Sequence, residues 1–408
     1  MDAVLSAAFF PAPCGGSASG FRGWHVYAAA GLSKQGFRSI AMNPVSCGSV
    51  SLDVVDGVPV LGIPIDVGRS WPLRVINGAI KGLLGYDMEL SGLSLHYGEV
   101  LRDLSEGAVL YLHGYHRRSE AWLALRKLSP SMNGETKLIL QNHASPPPHG
   151  LRNGNPIRKS IWYVREDELR RLRAFFFALT EAEKRYLEGL GAEFVKVRPM
   201  AVNFDSLIPA SEERKTIIKR ELGLDEDSIY VVMYGGGLEK GVHYAPLIHG
   251  ELQRRFKSRL IVTGIPDHQE GIWRWLESHG VTAFLKSRLS HSDYLKLVSA
   301  SSAFIMPARS SIIYGGITVS VMEALAMGIP VVSPTLIHFP DLHRMKEVGV
   351  ATRFVDEPRD LLDFLDEVVW VLENRDSFNP SRIHELGQLY YSWEAFSRDF
   401  SEAVTSLS

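Results

Sequence analysis

The chain contains 408 residues, of which 45% are hydrophobic and 22% charged, and its formal net charge is -2. This apolar fraction excludes an intrinsically disordered chain, and the balanced charge argues against a dedicated nucleic-acid binder, which carries a basic excess. The two cysteines, Cys14 and Cys47, are too few for a disulfide framework or a cysteine-rich zinc site. No run approaches the ~18 apolar residues that a membrane span requires. We therefore expect a cytoplasmic protein of about two domains.

The first half of the chain alternates short apolar runs with amphipathic stretches. The apolar start follows Asp2 rather than a positively charged region and runs into Pro11, which favours a buried strand over a signal peptide. Strands are predicted at residues 4–10, 38–42, 58–63, 109–113, 137–141, 174–179 and 194–202. Helices are predicted at residues 24–34, 75–84, 119–128 and 166–173. Continuously apolar strands separated by helices indicate a parallel sheet covered on both faces.

The second half repeats this alternation after a charged helix predicted at residues 213–222. Strands are predicted at residues 229–234, 260–263, 303–306, 330–332 and 351–355. Helices are predicted at residues 244–255, 269–278, 292–299, 319–327 and 361–372. The chain is therefore expected to form two doubly wound, Rossmann-like α/β domains, residues 1–205 and 206–384, with a C-terminal helix at 385–408 packing back on the first. Because open α/β sheets bind ligands beyond the carboxyl ends of their strands, we expect the site in a cleft that the two domains face.

A glycine-rich loop follows the first strand of each predicted domain. Gly15 and Gly16 follow the first, in a spacing that matches neither a dinucleotide-binding fingerprint nor a Walker A loop. Gly235-Gly236-Gly237 follows the second and precedes Lys240 at a predicted helix start. Exposed N–H groups, a helix dipole and one mobile cation together favour a phosphate. The alternatives are a plain flexible connection for the first loop and a solvated lysine beside a tight turn for the second.

A third stretch combines glycines with a carboxylate on an apolar helix. Gly315 and Gly316 precede a helix in which Glu323 is surrounded by apolar residues. A carboxylate in such a place is costly unless it is paired or bound to a ligand. Glu323 is therefore expected either to pair with a cation inside the fold or to accept hydrogen bonds from sugar hydroxyls.

These stretches resemble the retaining nucleotide-sugar glycosyltransferases of GT-B fold, specifically glycosyltransferase family 4. The resemblance rests on Gly15-Gly16 followed by His25-Val26-Tyr27, on Lys240-Gly241, and on the segment from Glu323 to Val332. Weaker similarities lie in His113 and His143 at predicted strand ends. The chain departs from the family pattern twice: Gly315 stands where the first of two paired glutamates is usual, and Gly237 where an arginine is common.

The resemblance implies transfer of a sugar from a nucleoside diphosphate to an acceptor hydroxyl with retention of configuration. It implies that Lys240 and the glycine turn contact the diphosphate, that Glu323 binds the ribose hydroxyls, and that His143 orients the transferred sugar. Thr318 and Val319 would supply backbone N–H groups to the diphosphate, and Arg288 or Arg309 would replace the charge of the missing arginine. No metal cofactor is required in this scheme, since protein cations and dipoles neutralise the leaving group.

Other interpretations of the sequence stay open. The two departures suit a non-catalytic sugar-nucleotide-binding regulator, and a sugar-nucleotide epimerase is a third possibility. Asp225-Glu226-Asp227 resembles a metal-binding Asp-x-Asp element, but aspartate is simply common in turns. The cations and aromatic residues of 158–173 form a solvated helix face by default; the alternative is peripheral contact with the inner face of the cell membrane, which would bring a lipid-linked acceptor to the site.

Overall fold

The structure is a computed structural model. It describes residues 3–8, 23–45, 49–64, 75, 100–101, 103–104, 106–114, 136–143, 156, 166–167, 169–311 and 316–408. The chain divides into two compact units. The first unit comprises Met1–Met200 and Phe396–Ser408, and the second unit comprises Ala201–Ala395.

The first unit contains an eight-stranded sheet in the order β3-β4-β2-β1-β5-β6-β7-β8. Its strands are β1 (Ala3–Ala8), β2 (Arg38–Val45), β3 (Ser51–Val55), β4 (Val58–Pro64), β5 (Val109–His113), β6 (Lys137–Gln141), β7 (Phe175–Ala178) and β8 (Phe194–Val197). All neighbours pair in parallel except β3 and β4. Strands β5 and β7 are buried along their whole length, as expected for a parallel sheet covered on both faces.

Helices cover this sheet where the structure describes them. They are α1 (Trp24–Lys34), α2 (Glu181–Gly189) and the C-terminal α11 (Trp393–Ser406), whose residues from Phe396 onward belong to the first unit. Phe396 and Phe400 of α11 are fully buried against Tyr111 and Phe177 of the sheet. Asp399 adds an ion pair to the buried Arg198, with Nε and Oδ2 3.2 Å apart. Aromatic burial of this kind contributes several kcal/mol, ~3–5 for a phenylalanine, so the end of the chain is part of the first unit's core.

The second unit contains a six-stranded parallel sheet in the order β11-β10-β9-β12-β13-β14. Its strands are β9 (Ile229–Tyr234), β10 (Ser258–Ile265), β11 (Thr282–Leu285), β12 (Ala303–Ile305), β13 (Val331–Val332) and β14 (Gly349–Val350). Its described helices are α3 (Glu212–Glu221), α4 (Ala245–Arg255), α5 (Glu270–Ser278), α6 (His291–Ser299), α7 (Val319–Ala326), α8 (Met345–Val348), α9 (Pro358–Glu373) and α10 (Pro380–Tyr391).

Several predicted elements differ from the observed ones for local reasons. Strand β3 was not predicted, because its exposed Leu52 and Val54 alternate with less exposed neighbours. It is joined to β4 by the turn Asp56-Gly57, in which both residues have a positive φ. Strand β11 was also missed. The last strand lies at Gly349–Val350 rather than at residues 351–355. The predicted helices at 75–84 and 119–128 lie almost entirely outside the described residues.

In both sheets the order in which the chain adds strands reverses at a central strand. In the first unit the chain order runs outward on either side of β1, and in the second unit on either side of β9. At such a point the loops after two neighbouring strands diverge and leave room for a ligand at the carboxyl ends. The places to look for a site are therefore the ends of β1, β5 and β6 in the first unit and of β9 and β12 in the second.

Candidate functional site

The glycine turn after β9 makes room for the side chain of Tyr234. A Cβ on Gly236 would stand 2.5 Å from Cε1 of Tyr234, and one on Gly264, near the end of β10, would stand 2.4 Å from its Cε2. Glycine is thus required on both sides of the ring. Gly235 is tightly packed as well, since a Cβ there would lie 2.6 Å from Val262. The turn therefore holds an aromatic ring at the switch point of the second sheet.

The sequence suggested that Lys240 lies at a helix start, but in the structure it does not. Residues Leu238–Lys240 and Val242–Tyr244 form two 3-10 turns, and α4 begins only at Ala245. Gly241, with a φ of 79°, interrupts the helix, and a Cβ on it would stand 2.1 Å from the Pro307 carbonyl oxygen. The close approach joins the loops after β9 and β12. The N-terminus of α4, and with it the helix dipole, is therefore displaced from the glycine turn. An anion at this turn would be attracted mainly by the ammonium group of Lys240.

The ammonium group of Lys240 lies over the Tyr234 ring, with Nζ 4.4 Å from the ring centroid. The pKa of Lys240 is lowered to about 8, mainly by burial; Glu239 opposes this shift and Lys286 adds to it. A cation held at such a cost, against an aromatic face and near a second lysine, favours binding of an anion, which would restore its charge.

Glu323 lies on α7, and its side chain is only 7% exposed. Burial raises the pKa of this carboxyl to about 8, while the nearby Tyr294 hydroxyl acts in the opposite direction. Nε2 of the half-exposed His291 stands 3.5 Å from Oε1. Burial raises the pKa of the Tyr234 phenol, and the nearby Glu323 carboxylate raises it further. Lys240, Tyr234 and Glu323 therefore form one cluster, with a carboxyl suited to accept hydrogen bonds from hydroxyl groups.

The N-terminus of α7 adds unpaired donors to the described part of this cluster. Thr318 is its N-cap, with Oγ1 accepting a hydrogen bond from the Val321 N–H at 3.4 Å and contacting Ser320 Oγ at 2.9 Å. The N–H groups of Val319 and Ser320 have no partner within the helix, as in any first helical turn. Gly316 precedes them at a φ of 58°, whereas Gly315 lies outside the described residues.

The two arginines considered as substitutes for the missing cation lie in different surroundings. The backbone N–H of Arg309 donates to the Glu239 carbonyl oxygen at 2.9 Å, which brings Arg309 beside the glycine turn. Its side chain is half exposed and pairs with Asp356, Nε to Oδ1 3.5 Å. Arg288 follows β11, and its guanidinium stacks on Trp273 at 4.4 Å. Of the two, Arg309 is connected directly to the turn that carries Lys240.

The first unit carries a cluster of histidines at the ends of its central strands. Ser6 Oγ contacts His113 Nε2 at 2.9 Å, and His113 Nδ1 contacts His143 Nε2 at 2.6 Å. Burial lowers the pKa of His143 to about 3 and that of His25 to about 4, and it holds the pKa of His113 well below its usual range. The ring of Trp24 stacks on His143 at 5.3 Å. These imidazoles are therefore neutral hydrogen-bonding groups rather than cations.

A buried carboxyl supports the backbone beside His143. Glu183 accepts a hydrogen bond from the Leu179 N–H at 2.7 Å and is hydrogen-bonded by the side chain of Asn142. Burial raises its pKa to about 7. The other predicted loop of this unit, Gly15-Gly16, lies outside the described residues.

Sequence reasoning did not single out Tyr234, Tyr294, His291, Ser6 or Glu183. Tyr234 could have been suspected, because it is the last residue of β9 and directly precedes the glycine triplet. His291 lies in the first turn of α6, which Ser290 caps by accepting from the Asp293 N–H at 3.0 Å. Nothing in the sequence pairs His291 with a residue 32 positions later.

The acidic turn before β9 is occupied by surface pairs. Lys257 Nζ lies 3.0 Å from Asp225 Oδ2, and Arg220 pairs with Glu226. Within the described ranges, no group of three or more His, Cys, Asp or Glu residues is arranged to hold a metal ion. Likewise, none of the described helices is both long and apolar enough to cross a bilayer. Most of the basic and aromatic segment 158–173 lies outside the described residues.

Comparison with known proteins relates these features to a family and a fold. Residues 230–374 match the family described as "Glycosyl transferases group 1". No curated protein sequence matches the chain.

Solved structures are similar over the whole chain. A sucrose-phosphate synthase from Thermosynechococcus elongatus is 14% identical, with a TM-score of 0.65 over 99% of both chains. Anabaena HepE, in complex with UDP and glucose, is 14% identical, with a TM-score of 0.65 over 100% of both chains. The catalytic domain of starch synthase IV from Arabidopsis thaliana, bound to ADP and acarbose, is 14% identical, with a TM-score of 0.63 over 100% of this chain and 99% of that one. The predicted fold of two doubly wound Rossmann-like domains is confirmed: the chain has the GT-B fold, and residues 230–374 match a glycosyltransferase group 1 domain.

Proposed function

We propose that this protein transfers a sugar from a nucleoside-diphosphate sugar to an acceptor hydroxyl, with retention of anomeric configuration. The observation that carries the proposal is the cluster of Lys240, Tyr234 and Glu323 beside the N-terminus of α7. A buried cation, the backbone N–H groups of a first helical turn and a carboxyl that accepts hydrogen bonds are what a diphosphate and its ribose require. The match of residues 230–374 to a glycosyltransferase domain supports the same assignment.

The leaving diphosphate gains negative charge as the bond from the sugar C1 to the phosphate oxygen breaks. Lys240 and the N–H groups of Val319 and Ser320 neutralise that charge in a partly desolvated site, where such interactions are strong. The acceptor oxygen forms its new bond to C1 on the same face, and its proton passes to the departing phosphate oxygen. In this scheme the chain needs no pair of acid and base carboxylates and no metal cofactor. His143 of the first unit contacts a substrate hydroxyl.

The donor is a nucleoside-diphosphate sugar, and the solved structures with the same fold include complexes with UDP, with UDP-glucose and with ADP. The acceptor is a carbohydrate or a lipid-linked carbohydrate. We propose a cytoplasmic protein that works at the inner face of the membrane if its acceptor is lipid-linked. No nucleic-acid partner is part of the proposal.

A second candidate is a non-catalytic protein that binds a sugar nucleotide and regulates a partner. The glycines at positions 237 and 315, where the family usually has an arginine and a glutamate, favour it. Both candidates use the same binding site, and they differ only in turnover.

Turnover and binding measured on one panel separate these candidates. The protein is incubated with UDP, GDP and ADP sugars and a mixture of acceptor glycans, and nucleotide release and the product anomer are followed by NMR. We expect release with one donor, a product of the same anomeric configuration, and at least tenfold slower release for Lys240→Met and Glu323→Gln. Lys296→Met and Glu270→Gln are matched controls, because Lys296 and Glu270 form only exposed ion pairs.

The other outcomes identify the alternatives. Binding without release supports the regulator, and a product epimeric to the donor sugar supports an epimerase. A panel that neither binds nor turns over contradicts both binding proposals.

A further inference from the structure

Three side chains form a continuous hydrogen-bonded chain at the carboxyl ends of β1, β5 and β6. Ser6 and His113 are fully buried, and His143 follows β6 and is partly buried. The contacts measure 2.9 Å from Ser6 Oγ to His113 Nε2 and 2.6 Å from His113 Nδ1 to His143 Nε2. Each contact needs one proton, so the positions of the protons can be worked out from one end.

The direction of the chain is set by Ser6. Its hydroxyl has a single proton, which it donates to the carbonyl oxygen of His25 at 2.9 Å. Ser6 Oγ can therefore only accept in its second contact, and His113 Nε2 must carry a proton and donate it. A neutral imidazole has one N–H, which leaves His113 Nδ1 as an acceptor. The 2.6 Å contact is then satisfied by a proton on His143 Nε2, and His143 Nδ1 carries none.

The premise that both imidazoles are neutral follows from their surroundings. Burial holds the pKa of His113 well below its usual range and lowers that of His143 to about 3. The ring of His143 is also held in place, because it stacks on Trp24 at 5.3 Å and on His113 at 4.9 Å. Among the residues that the structure describes, Nδ1 of His143 makes no hydrogen bond.

We propose that Ser6 and His113 are positioning residues that fix the tautomer of His143, so that its Nδ1 accepts a hydrogen bond from a hydroxyl group of the carbohydrate substrate. This inference rests on the proposed function for the identity of the substrate, whereas the tautomer itself does not. In the opposite tautomer Nδ1 of His143 would itself carry the proton, and it could not accept a hydrogen bond from a hydroxyl group. Through two successive hydrogen bonds, the buried Ser6 thus determines whether Nδ1 of His143 is an acceptor or a donor toward the substrate.

The tautomer is measured directly by long-range 1H–15N correlation spectra of protein labelled with 15N-histidine. Such spectra distinguish which ring nitrogen carries the proton, and loss of a signal in His143→Gln assigns the residue. We expect the Nε2-protonated form of His143 in the unmodified protein. In Ser6→Ala, His113 loses its acceptor, and the Nδ1-protonated form of His143 should appear.

Two substitutions of His113 test the chain from its middle and do not depend on the Ser6 variant. His113→Asn keeps an acceptor oxygen close to the position of Nδ1 and should retain the Nε2-protonated His143. His113→Leu removes the acceptor and should lose it. Ser301→Ala is the matched control, because the Ser301 hydroxyl is equally buried and donates to a backbone carbonyl of Val298 at 2.7 Å without touching a histidine.

With a donor and acceptor that turn over, kcat/KM should fall about tenfold in Ser6→Ala and His113→Leu and stay unchanged in Ser301→Ala. An Nδ1-protonated His143 in the unmodified protein overturns the inference, as does an unchanged tautomer in Ser6→Ala and His113→Leu. A changed tautomer with unchanged kcat/KM overturns the role toward substrate. If no donor turns over, the proposed function fails, while the spectra still decide whether Ser6 and His113 set the tautomer.

Discussion

Binding of the donor nucleotide should move protons, because two groups of the site have pKa values shifted in opposite directions. In the free protein the pKa values of Lys240 and Glu323 both lie at about 8. A bound diphosphate favours the charged ammonium, and ribose hydroxyls that donate to Glu323 favour the charged carboxylate. Lys240 should therefore take up a proton on binding, and Glu323 should release one.

The size of each effect follows from the pKa values. At pH 8 each group is half ionised, so Lys240 takes up about half a proton and Glu323 releases about half, and the net exchange is close to zero. Glu323→Gln removes the release and should reveal an uptake of about 0.5 proton at pH 8, falling to about 0.1 at pH 7 and rising to about 0.9 at pH 9. Lys240→Met should reveal the opposite, a release of about 0.5 proton at pH 8.

Isothermal titration calorimetry measures this exchange when the same titration is repeated in buffers of different ionisation enthalpy. The probe is whichever of UDP, GDP and ADP binds, and Lys296→Met serves as the control for loss of a lysine. Glu323 is not among the groups that shift the pKa of Lys240, so the Glu323→Gln variant reports the lysine alone. A Glu323→Gln protein that binds nucleotide at pH 8 without taking up protons would refute the assignment of Lys240 to the diphosphate.

Three further substitutions test local parts of the account. Gly236→Ala places a Cβ 2.5 Å from the Tyr234 ring, so nucleotide affinity measured by calorimetry should fall about tenfold or more, whereas Gly250→Ala, which has open space, should leave it unchanged. Glu183→Gln should raise the free energy of unfolding in urea more at pH 8 than at pH 5, by on the order of 2 kcal/mol. The folded-state pKa of about 7 lies above the unfolded value, so the buried carboxylate destabilises the folded state only as the pH rises above that unfolded value. An equal effect at both pH values would contradict this. Thr318→Ala removes the N-cap of α7 and should cost about 1 kcal/mol, with Thr318→Ser restoring it, and an unchanged urea midpoint in the alanine variant would count against the cap.

Much of the fold could be predicted because it depends on local patterns. Apolar runs such as those of β5 and β9 are readable as buried parallel strands, and α1 begins and ends where the sequence indicated. The failures arose where pairing partners decide. Leu52 and Val54 are exposed in an edge strand, and the two-residue β14 exists only because β13 pairs with it.

The sequence singles out the glycines and charged residues of the candidate site but not the contacts that they make. Lys240 and Glu323 stand out because a lysine after three glycines and a carboxylate in an apolar helix are unusual locally. Their shared neighbour Tyr234 is set by three-dimensional packing, since Gly264 on another strand leaves room for its ring. The helix predicted at 244–255 lies at Ala245–Arg255, but Lys240 is not at its start, because the contact of Gly241 with Pro307 favours a break that the sequence of the turn does not reveal.

The most direct measurement of the central claim is a crystal structure of the protein with the nucleoside diphosphate that binds it. We expect the diphosphate within hydrogen-bonding distance of Lys240 Nζ and of the N–H groups of Val319 and Ser320, with the ribose hydroxyls on the Glu323 carboxylate. A nucleotide bound elsewhere, with Lys240 still lying on Tyr234 and free of phosphate, would contradict it.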